Sequence, residues 1–271
     1  MARVTIGVPG GRPTEENSME IAGKKAVIVG GASGMARASA KRLHARGASV
    51  AILDLPKSAG AEAAKELGGS FHPVDITDEA AAENALADAV AALGGLHIAV
   101  NTAGGGAARR TLTKEGPHPL DVFRRVIELN LIGTFNLNRL QALHMSANEP
   151  DEDGERGVII DTSSIAAFEG QIGQVAYTAA KAGIAGMTLT MARDLGSLGI
   201  RVVSIAPSLF DTGLTAGIPD EFAQTLTKDA AFPKRMGRPD EYARLVLAIV
   251  DNPMLNGSCL RLDGGQRFAP K

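Results

Sequence analysis

Short apolar runs alternate with longer, alanine-rich segments from Lys25 toward the C-terminus. A run of four to six apolar residues bounded by turns is typical of a buried strand, and apolar residues every three or four positions are typical of a helix that covers a sheet. The predicted strands are Ala26–Val29, Val50–Leu53, Ser70–Pro73, Ile98–Asn101, Val158–Thr162, Val202–Ala206 and Cys259–Leu262. The predicted helices are Met35–Arg46, Ala59–Leu67, Glu79–Leu93, Leu120–Met145, Gln174–Ser197 and Pro239–Asp251.

Seven strands that alternate with helices in this order predict an α/β fold, a Rossmann-type doubly wound parallel seven-stranded sheet with helices on both faces. The chain has 271 residues, of which 45% are hydrophobic and 21% are charged. These values are typical of one globular domain with a buried core, and we expect it to span residues 21–271. Residues 1–20 are rich in Gly, Pro and polar residues and are predicted to form a flexible N-terminal arm.

Three connections between the predicted elements stand out. The segments Gly104–Pro119 and Pro207–Pro239 are longer than packing requires, and such loops of α/β proteins tend to carry function. The second follows the sixth strand, contains a predicted short helix at Asp220–Thr227 and is our candidate for a substrate lid. The acidic segment Asn148–Gly157 is predicted to be a solvated turn.

Composition and charge argue against several classes of protein. The net charge is -2 and the Lys and Arg residues are spread among the helices, so we expect no nucleic-acid partner. No segment has the apolar length of a membrane span or the apolar core of a secretory signal, so we expect no membrane association and a cytoplasmic location. The five histidines lack the short spacings of a zinc site, and we expect no metal. The single cysteine, Cys259, is predicted to be a small core residue.

Glycines follow the first predicted strand in the run Gly30-Gly-Ala-Ser-Gly34-Met-Ala36. Glycine allows a tight turn from strand to helix, and the N–H groups at the start of the helix can bind a pyrophosphate. Many tight turns contain glycine, so this motif alone is weak evidence for a nucleotide site.

Asp54 strengthens the interpretation as a nucleotide site. It ends the second strand about 20 residues further on, where a carboxylate accepts hydrogen bonds from an adenosine ribose and repels a 2'-phosphate. The expected cofactor is therefore NAD rather than NADP. Without the glycines, Asp54 would be interpreted as an ordinary turn residue before Pro56.

Tyr177 and Lys181 are four residues apart in a predicted helix, so a phenol and an ammonium project from the same face. A free phenol has a pKa of about 10 and needs nearby positive charge to act as an acid-base catalyst near neutral pH. Considered one at a time, these residues have simpler interpretations. A Tyr and a Lys at this spacing are commonly surface neighbours, Ser164 would be interpreted as a turn cap, and Asn130 as a solvent-facing residue. The ordered set, together with the glycine motif, favours an enzyme that transfers a hydride.

The chain resembles the short-chain dehydrogenase/reductase family over essentially its whole length from about Glu20. The motifs that carry the resemblance are Gly30-x-x-x-Gly34-x-Ala36, Asp75-Ile76, Asn101-Thr-Ala-Gly104, Asn130, Ser164, Tyr177-x-x-x-Lys181 and the turn at Pro207. Within the family, the runs Leu53–Pro56, Asn148–Asp151, Ala167–Gln174, Met191–Leu195 and Leu209–Thr212 resemble the subgroup of type-2 3-hydroxyacyl-CoA dehydrogenases, also called type-10 17-beta-hydroxysteroid dehydrogenases. The departures from the family pattern are Val29, Ala36, Thr102 and Ser208, and none of them removes a reacting group.

The resemblance implies roles for individual residues. Tyr177 would be the general acid-base, Lys181 would lower its pKa, Ser164 would hold the substrate oxygen, and Asn130 would support a water that leads protons to solvent. The residues expected to bind the cofactor are Gly30, Ser33, Gly34 and Met35 at the pyrophosphate, Asp54, Asp75 and Ile76 at the adenosine, Thr102, Ala103 and Gly104 beside the ribose, and Tyr177, Lys181, Pro207, Phe210 and Thr212 at the nicotinamide end.

Three functions are compatible with these residues. The leading one is reversible NAD-dependent oxidation of a short or branched 3-hydroxyacyl-CoA, whose phosphates Arg109 and Arg110 could contact, although a solvated pair of arginines is as good an interpretation. The second is oxidation of a hydroxysteroid or another bulky secondary alcohol in a pocket lined by Leu209, Leu214, Ile218 and Phe222. The third is a non-catalytic NAD-binding scaffold or redox sensor, which we rank last because the chain keeps both Tyr177 and Lys181.

Small side chains follow one another from Ala179 to Gly186 in the predicted helix that carries the lysine. They permit close approach of another helix, within one chain or between subunits. The family resemblance implies a homotetramer, whereas the residues themselves do not distinguish a tetramer from a dimer.

Overall fold

The computed structural model describes residues 20–212 and 225–270. The predicted N-terminal arm, apart from Glu20, lies outside the described residues, and so do Leu214, Ile218, Phe222 and most of the predicted helix Asp220–Thr227. The division into an arm over residues 1–20 and one domain over residues 21–271 therefore stays a prediction.

A parallel sheet of seven strands forms the centre of the described molecule. In chain order the strands are β1 (Lys25–Val29), β2 (Ser49–Asp54), β3 (Ser70–Pro73), β4 (Ile98–Asn101), β5 (Leu112–Thr113), β6 (Gly116–Pro117), β7 (Gly157–Thr162), β8 (Ile200–Pro207) and β9 (Cys259–Leu262). The sheet has the order β3-β2-β1-β4-β7-β8-β9, and β5 pairs with β6 in a separate hairpin. All seven predicted strands are confirmed to within two residues at either end, and most of them are short apolar runs between turns.

Helices cover both faces of the sheet, as the sequence predicts. In chain order they are α1 (Gly34–Ala45), α2 (Gly60–Glu66), α3 (Glu79–Leu93), α4 (Leu120–Ile127), α5 (Gly133–Ser146), α6 (Val175–Leu195) and α7 (Pro239–Val250). Ile28 belongs to a core that α1 and α7 cover, whereas its neighbour Val27 belongs to the core that α3, α5 and α6 cover. Adjacent strand residues point to opposite faces, so every inner strand is apolar on both sides.

One predicted helix differs from the structure. Instead of a continuous helix over Leu120–Met145, α4 and α5 are separated by a π-helical segment at Glu128–Ile132. The hydrogen bonds of a π-helix span one residue more than those of an α-helix, and such segments occur frequently at functional sites. Apolar spacing alone does not reveal the extra residue, and here the segment contains Asn130.

The prediction of a solvated turn at Asn148–Gly157 is wrong for part of the segment. The Nδ2 of Asn148 donates hydrogen bonds to the main-chain oxygens of Leu96 and Arg156. Glu155 is buried and pairs with the guanidinium of Arg201 at 2.8 Å. The segment is thus anchored to the sheet by partners that are distant in the sequence.

The prediction of a core position for Cys259 is also wrong, because the residue is only half-buried. It begins β9, which lies at the edge of the sheet and pairs only with β8. An edge strand has no neighbour on its outer side, so its side chains are less covered than those of the inner strands.

Candidate active site

The carboxyl ends of the parallel strands bring most of the predicted site residues to one edge of the sheet. Val29 is in register with both Leu53 and Asn101, and Asn101 is in register with Asp161. Asp54, Thr162 and Pro207 end their strands at the same edge. Ligands of open α/β sheets bind outside this edge, where the strand order changes direction.

The glycine turn between β1 and α1 leaves room at this edge. Gly30 has φ = +79°, a conformation that side chains rarely adopt, and a Cβ there would lie 2.8 Å from Oγ1 of Thr102 and 3.0 Å from the main-chain nitrogen of Ala103. Gly34 has φ = +54° and lies against the side chain of Thr212. Glycine at both positions keeps the start of α1 open, so that its free N–H groups can receive a phosphate.

The carboxylate of Asp54 is held over this turn. Its Oδ2 accepts a hydrogen bond of 2.9 Å from the main-chain N–H of Ala32, and its Oδ1 accepts one of 2.7 Å from Leu55. Asp54 therefore faces the glycine turn with a defined orientation and with oxygens that can also accept hydrogen bonds from a diol.

A cleft of about 260 Å³ lies between the glycine turn and the ends of β2, β3 and β4. Eleven of the predicted cofactor residues line it, namely Gly30, Ser33, Gly34, Met35, Asp54, Asp75, Ile76, Thr102, Ala103, Gly104 and Thr212. The prediction missed Val29, Leu55, Val74 and Leu129, which also line the cleft. Val29, Leu55 and Val74 adjoin predicted cofactor residues in the sequence, whereas Leu129 adjoins the predicted catalytic residue Asn130 and lies in the π-helical segment.

A second cavity of about 390 Å³ shares Met35, Thr102, Gly104 and Thr212 with the first cleft. It contains the remaining predicted residues that face a cavity, namely Ser164, Tyr177, Lys181, Pro207 and Phe210. Gly105, Gly106 and Gln174 also line it and were not predicted. The two cavities adjoin at these four shared residues, so a dinucleotide in the first cleft would extend toward the phenol of Tyr177.

Tyr177 and Lys181 occupy successive turns of α6, and the Nζ of Lys181 lies 5.7 Å from the centroid of the Tyr177 ring. Burial raises the pKa of the Tyr177 phenol, and a hydrogen bond with Ser164 lowers it. The Nζ of Lys181 donates a hydrogen bond of 2.8 Å to the main-chain oxygen of Thr162. Burial lowers the pKa of Lys181 to about 8, against the attraction of Asp161, which raises it.

Ser164 follows β7 and begins a turn of 3₁₀ helix at Ile165–Ala167. Its Oγ accepts a hydrogen bond of 3.1 Å from the N–H of Ala166, so Ser164 does cap the turn, as its simplest interpretation requires. The same hydroxyl also forms a hydrogen bond with the Tyr177 phenol, and the residue lines the second cavity.

Asn130 lies behind the site rather than in a cavity. Its Nδ2 donates hydrogen bonds to the main-chain oxygens of Gly105 at 2.7 Å and Val126 at 2.8 Å, and its Oδ1 accepts one of 3.1 Å from the N–H of Gly105. A Cβ at Gly104 would lie 2.6 Å from the Oδ1 of Asn130 and 3.3 Å from the Nζ of Lys181. Asn130 thus anchors the glycine-rich segment that passes over the lysine.

Neither a metal-binding cluster nor a membrane-spanning helix occurs in the described residues. No group of three or more His, Cys, Asp or Glu side chains is arranged to hold a metal ion there. In the same part of the chain, no helix has the length and apolarity needed to cross a bilayer.

Comparison with known proteins identifies the family. The sequence pattern of the short chain dehydrogenases matches residues 24–222. This chain belongs to that family. Short-chain dehydrogenases are oxidoreductases that generally use NAD or NADP, and both the glycine turn and the cleft beside it fit such a dinucleotide.

Individual relatives indicate which members of the short-chain dehydrogenase family this chain resembles. The chain is 51% identical to the 3-hydroxyacyl-CoA dehydrogenase type-2 of Homo sapiens over 254 residues, which are 92% of this chain and 97% of the relative. It is also 51% identical to the protein of the same name from Drosophila melanogaster, over 90% of this chain and 97% of the relative. The crystal structure of 3-hydroxyacyl-CoA dehydrogenase type-2 from Mycobacterium avium superposes with a TM-score of 0.88 at 43% identity, covering 92% of this chain and 98% of that one.

Proposed function

We propose that this short-chain dehydrogenase interconverts a short or branched 3-hydroxyacyl-CoA and its 3-ketoacyl-CoA with NAD as the cofactor. The observation that carries the proposal is the placement of Ser164, Tyr177 and Lys181 in one cavity that opens into the dinucleotide cleft. Similarity to dehydrogenases named for this substrate, over nearly the full length of both chains, supports the substrate class.

The preference for NAD over NADP follows from Asp54. Its carboxylate is oriented by two main-chain N–H groups, and it lines the cleft next to the glycine turn. A fixed negative charge at this position accepts hydrogen bonds from both ribose hydroxyls and repels the additional charge of a 2'-phosphate.

In the proposed mechanism, Tyr177 exchanges the proton of the substrate hydroxyl. In the direction of alcohol oxidation, the Ser164 hydroxyl binds the substrate oxygen and the Tyr177 phenolate removes its proton. The bound cofactor supplies the acceptor for the hydride. Burial opposes ionisation of the phenol, so the cation of Lys181 is needed nearby to lower the pKa of Tyr177. In the reverse direction the Tyr177 phenol donates the same proton to the ketone oxygen.

The loop after β4 supports an acyl-CoA as the substrate class, because it carries two arginines. Ala107 and Ala108 line the second cavity, and the next two residues in the chain, Arg109 and Arg110, are exposed. An acyl group bound beside Tyr177 would leave the phosphates of CoA outside the cavity, where exposed guanidinium groups can bind phosphate. We therefore assign Arg109 and Arg110 to the CoA phosphates.

Self-association as a homotetramer is part of the proposal. Large apolar side chains are exposed on the helices α5 and α6, among them Phe135 (49%), Leu143 (65%) and Leu189 (46%). Exposed apolar side chains on neighbouring helices are typical of an interface between subunits. Gly183 is already used within the chain, because a Cβ there would lie 2.8 Å from the Leu131 side chain, whereas Gly186 has open space around it. The cytoplasmic location stays a prediction.

The test measures NADH formation at saturating NAD with 3-hydroxybutyryl-CoA, 3-hydroxy-2-methylbutyryl-CoA and a 17-beta-hydroxysteroid. Each substrate is repeated with Tyr177→Phe, and Tyr242→Phe serves as the matched control. The chain has only two tyrosines, and the Tyr242 hydroxyl lies in the core, 2.8 Å from the Oγ1 of Thr162. We expect turnover of the CoA esters that Tyr177→Phe abolishes and Tyr242→Phe retains.

Other outcomes would redirect the proposal. Turnover of the steroid alone would replace the acyl-CoA substrate with a bulky alcohol, and equal activity of Tyr177→Phe and the wild type would refute the proton transfer. Binding of NAD without turnover of any alcohol would favour the scaffold or sensor.

A further inference from the structure

A cluster of buried polar side chains lies directly beneath the catalytic lysine, on the side of the sheet that α5 and α6 cover. It comprises Asn101 at the end of β4, Asp161 on β7, and Asn138 and Gln141 on α5. None of the four is more than 4% exposed. Nothing in the proposed chemistry uses them, although burying a carboxylate costs free energy unless it is paired or hydrogen-bonded.

Two carboxamides hold the carboxylate of Asp161. The Nδ2 of Asn101 donates to its Oδ1 at 2.9 Å, and the Nδ2 of Asn138 donates to its Oδ2 at 2.7 Å. Gln141 locks Asn101 by a hydrogen bond of 2.8 Å from its Nε2 to the Oδ1 of Asn101. Amides can satisfy the oxygens of a carboxylate but carry no charge to neutralise it.

The positive charge that acts on Asp161 is that of Lys181. Its Nζ donates to the main-chain oxygen of Thr162, which is the residue after Asp161, and the Ser163 hydroxyl donates to the main-chain oxygen of Lys181 at 2.8 Å. These two hydrogen bonds hold the lysine against the end of β7, at the residues that follow Asp161. Lys181 is 3% exposed, so solvent contributes little to keeping it charged.

We propose that Asp161 is a positioning residue for the reaction, a caged buried carboxylate whose negative charge keeps Lys181 protonated beside Tyr177. The inference rests on the proposed function, because it assumes that Tyr177 exchanges the proton. Asp161 raises the pKa of Lys181, which burial alone would lower further. Burial raises the pKa of Asp161 itself to about 6, and the amides of Asn101 and Asn138 and the charge of Lys181 limit that rise.

The charged and titratable groups around this pair are few within the described residues. Tyr177 faces Lys181 from α6 itself, and the only carboxylate that acts on Lys181 is Asp161, from β7. Tyr242 lies on α7 across the sheet, where its hydroxyl contacts the Oγ1 of Thr162, and the charge of Asp161 contributes to raising the pKa of its phenol. The side chains that α5 and β4 place against Asp161 are neutral amides. The pair is therefore ionised between about pH 6 and about pH 8, which brackets neutrality.

The test compares Asp161→Asn with the wild-type enzyme by two readouts. In protein labelled with ¹³C at the lysine Cε, the titration of Lys181, assigned by its loss in Lys181→Met, should move to lower pH by about one unit or more in Asp161→Asn. The alkaline limb of the pH profile of kcat/KM for NAD-dependent oxidation should move down by the same amount, because Lys181 loses its proton sooner. A carboxylate with a merely structural role would lower the height of the profile and leave the limbs in place.

Glu155→Gln is the matched control, because Glu155 is another buried carboxylate but pairs with Arg201 instead of Lys181. It should leave both readouts of Lys181 unchanged. Asn138→Leu is the second variant, in case Asp161→Asn does not fold. It removes one donor to Asp161 and should shift the Lys181 titration in the same direction by a smaller amount.

An unchanged Lys181 titration in both Asp161→Asn and Asn138→Leu would overturn the inference, whatever happens to the rate. Failure of the wild type to turn over any alcohol would refute the proposed function instead. The titration would then still decide whether Asp161 controls the charge of Lys181.

Discussion

The buried carboxyl of Asp161 predicts an unusual dependence of folding stability on pH. Its pKa is raised to about 6 in the folded protein, against about 3.9 for an unfolded Asp. Between these two values the folded state binds more protons than the unfolded state, so stability falls as the pH rises. This is opposite to the behaviour of a carboxylate in an ordinary surface ion pair, whose pKa is lowered on folding.

The magnitude follows from the two pKa values. At pH 5 the folded carboxyl is about ten-elevenths protonated while the unfolded one is mostly ionised, and at pH 7 both are ionised. From pH 5 to pH 7 the free energy of unfolding therefore loses about 1.3 kcal/mol through this one group. The lowered pKa of Lys181, about 8, acts above this window and adds little to the difference.

The assay is urea unfolding of the wild type and Asp161→Asn at pH 5 and pH 7, at one protein concentration. Taking the difference between the two proteins cancels the groups whose pKa is the same in both. Asp161→Asn should gain at least about 1.3 kcal/mol on the wild type as the pH rises, because the lower pKa of Lys181 expected in the variant adds to the gain. Glu241→Gln is the control, because Arg235 holds the pKa of Glu241 at about 2, so its difference from the wild type should be nearly constant from pH 5 to pH 7 and should shrink only at lower pH. If the difference for Asp161→Asn were the same at both pH values, the argument from burial would be refuted.

Three further changes have expected results. Asp54→Ala removes charge-assisted hydrogen bonds worth about 1.5–3 kcal/mol, so initial rates should show KM for NAD rising roughly tenfold to a hundredfold and the preference over NADP shrinking; an unaltered ratio of the two cofactors would exclude the ribose contact. Arg201→Met leaves Glu155 buried without its partner and should cost about 3–5 kcal/mol in urea unfolding; a loss below about 1 kcal/mol would mean that the pair is solvated. Gly104→Ala places a Cβ 2.6 Å from the Oδ1 of Asn130, so the segment over the lysine must shift. In steady-state kinetics this variant should lower kcat more than it raises KM for NAD. A wild-type kcat would show that the segment does not need its contact with Asn130.

The parts of the molecule that local patterns determine could be predicted from the sequence. Each inner strand is apolar on both faces, and the glycine turn needs a positive φ at Gly30 and Gly34 that few other residues adopt. Asp54 ends β2 and Ser164 lies two residues after β7, and parallel strands end at one edge of the sheet. The order of strands and helices along the chain is therefore enough to predict that these residues lie near one another.

The parts that depend on partners distant in the sequence could not be predicted. The π-helical segment Glu128–Ile132 adds one residue to a turn without changing the apolar pattern, and only the contacts of Asn130 with Gly105 explain its position. Glu155 belongs to a segment that is acidic in sequence, and its burial depends on Arg201. Asp161 follows the apolar run Val158–Ile160 in β7, and nothing in that run shows that Asn138 on a distant helix will meet it.

The active site is also a place where the fold gives up stability. Burial shifts the pKa of Tyr177, Lys181 and Asp161 toward the uncharged form in each case, so each of the three charges is disfavoured in the folded state. Apolar side chains of similar size would be expected to stabilise the same positions. Catalysis needs the opposite arrangement, because a phenol can exchange a proton near neutral pH only if a cation beside it stays charged without solvent. The carboxylate of Asp161 meets this requirement from behind Lys181. Amides hold it without neutralising its charge, and it does not enter the cavity where the substrate binds.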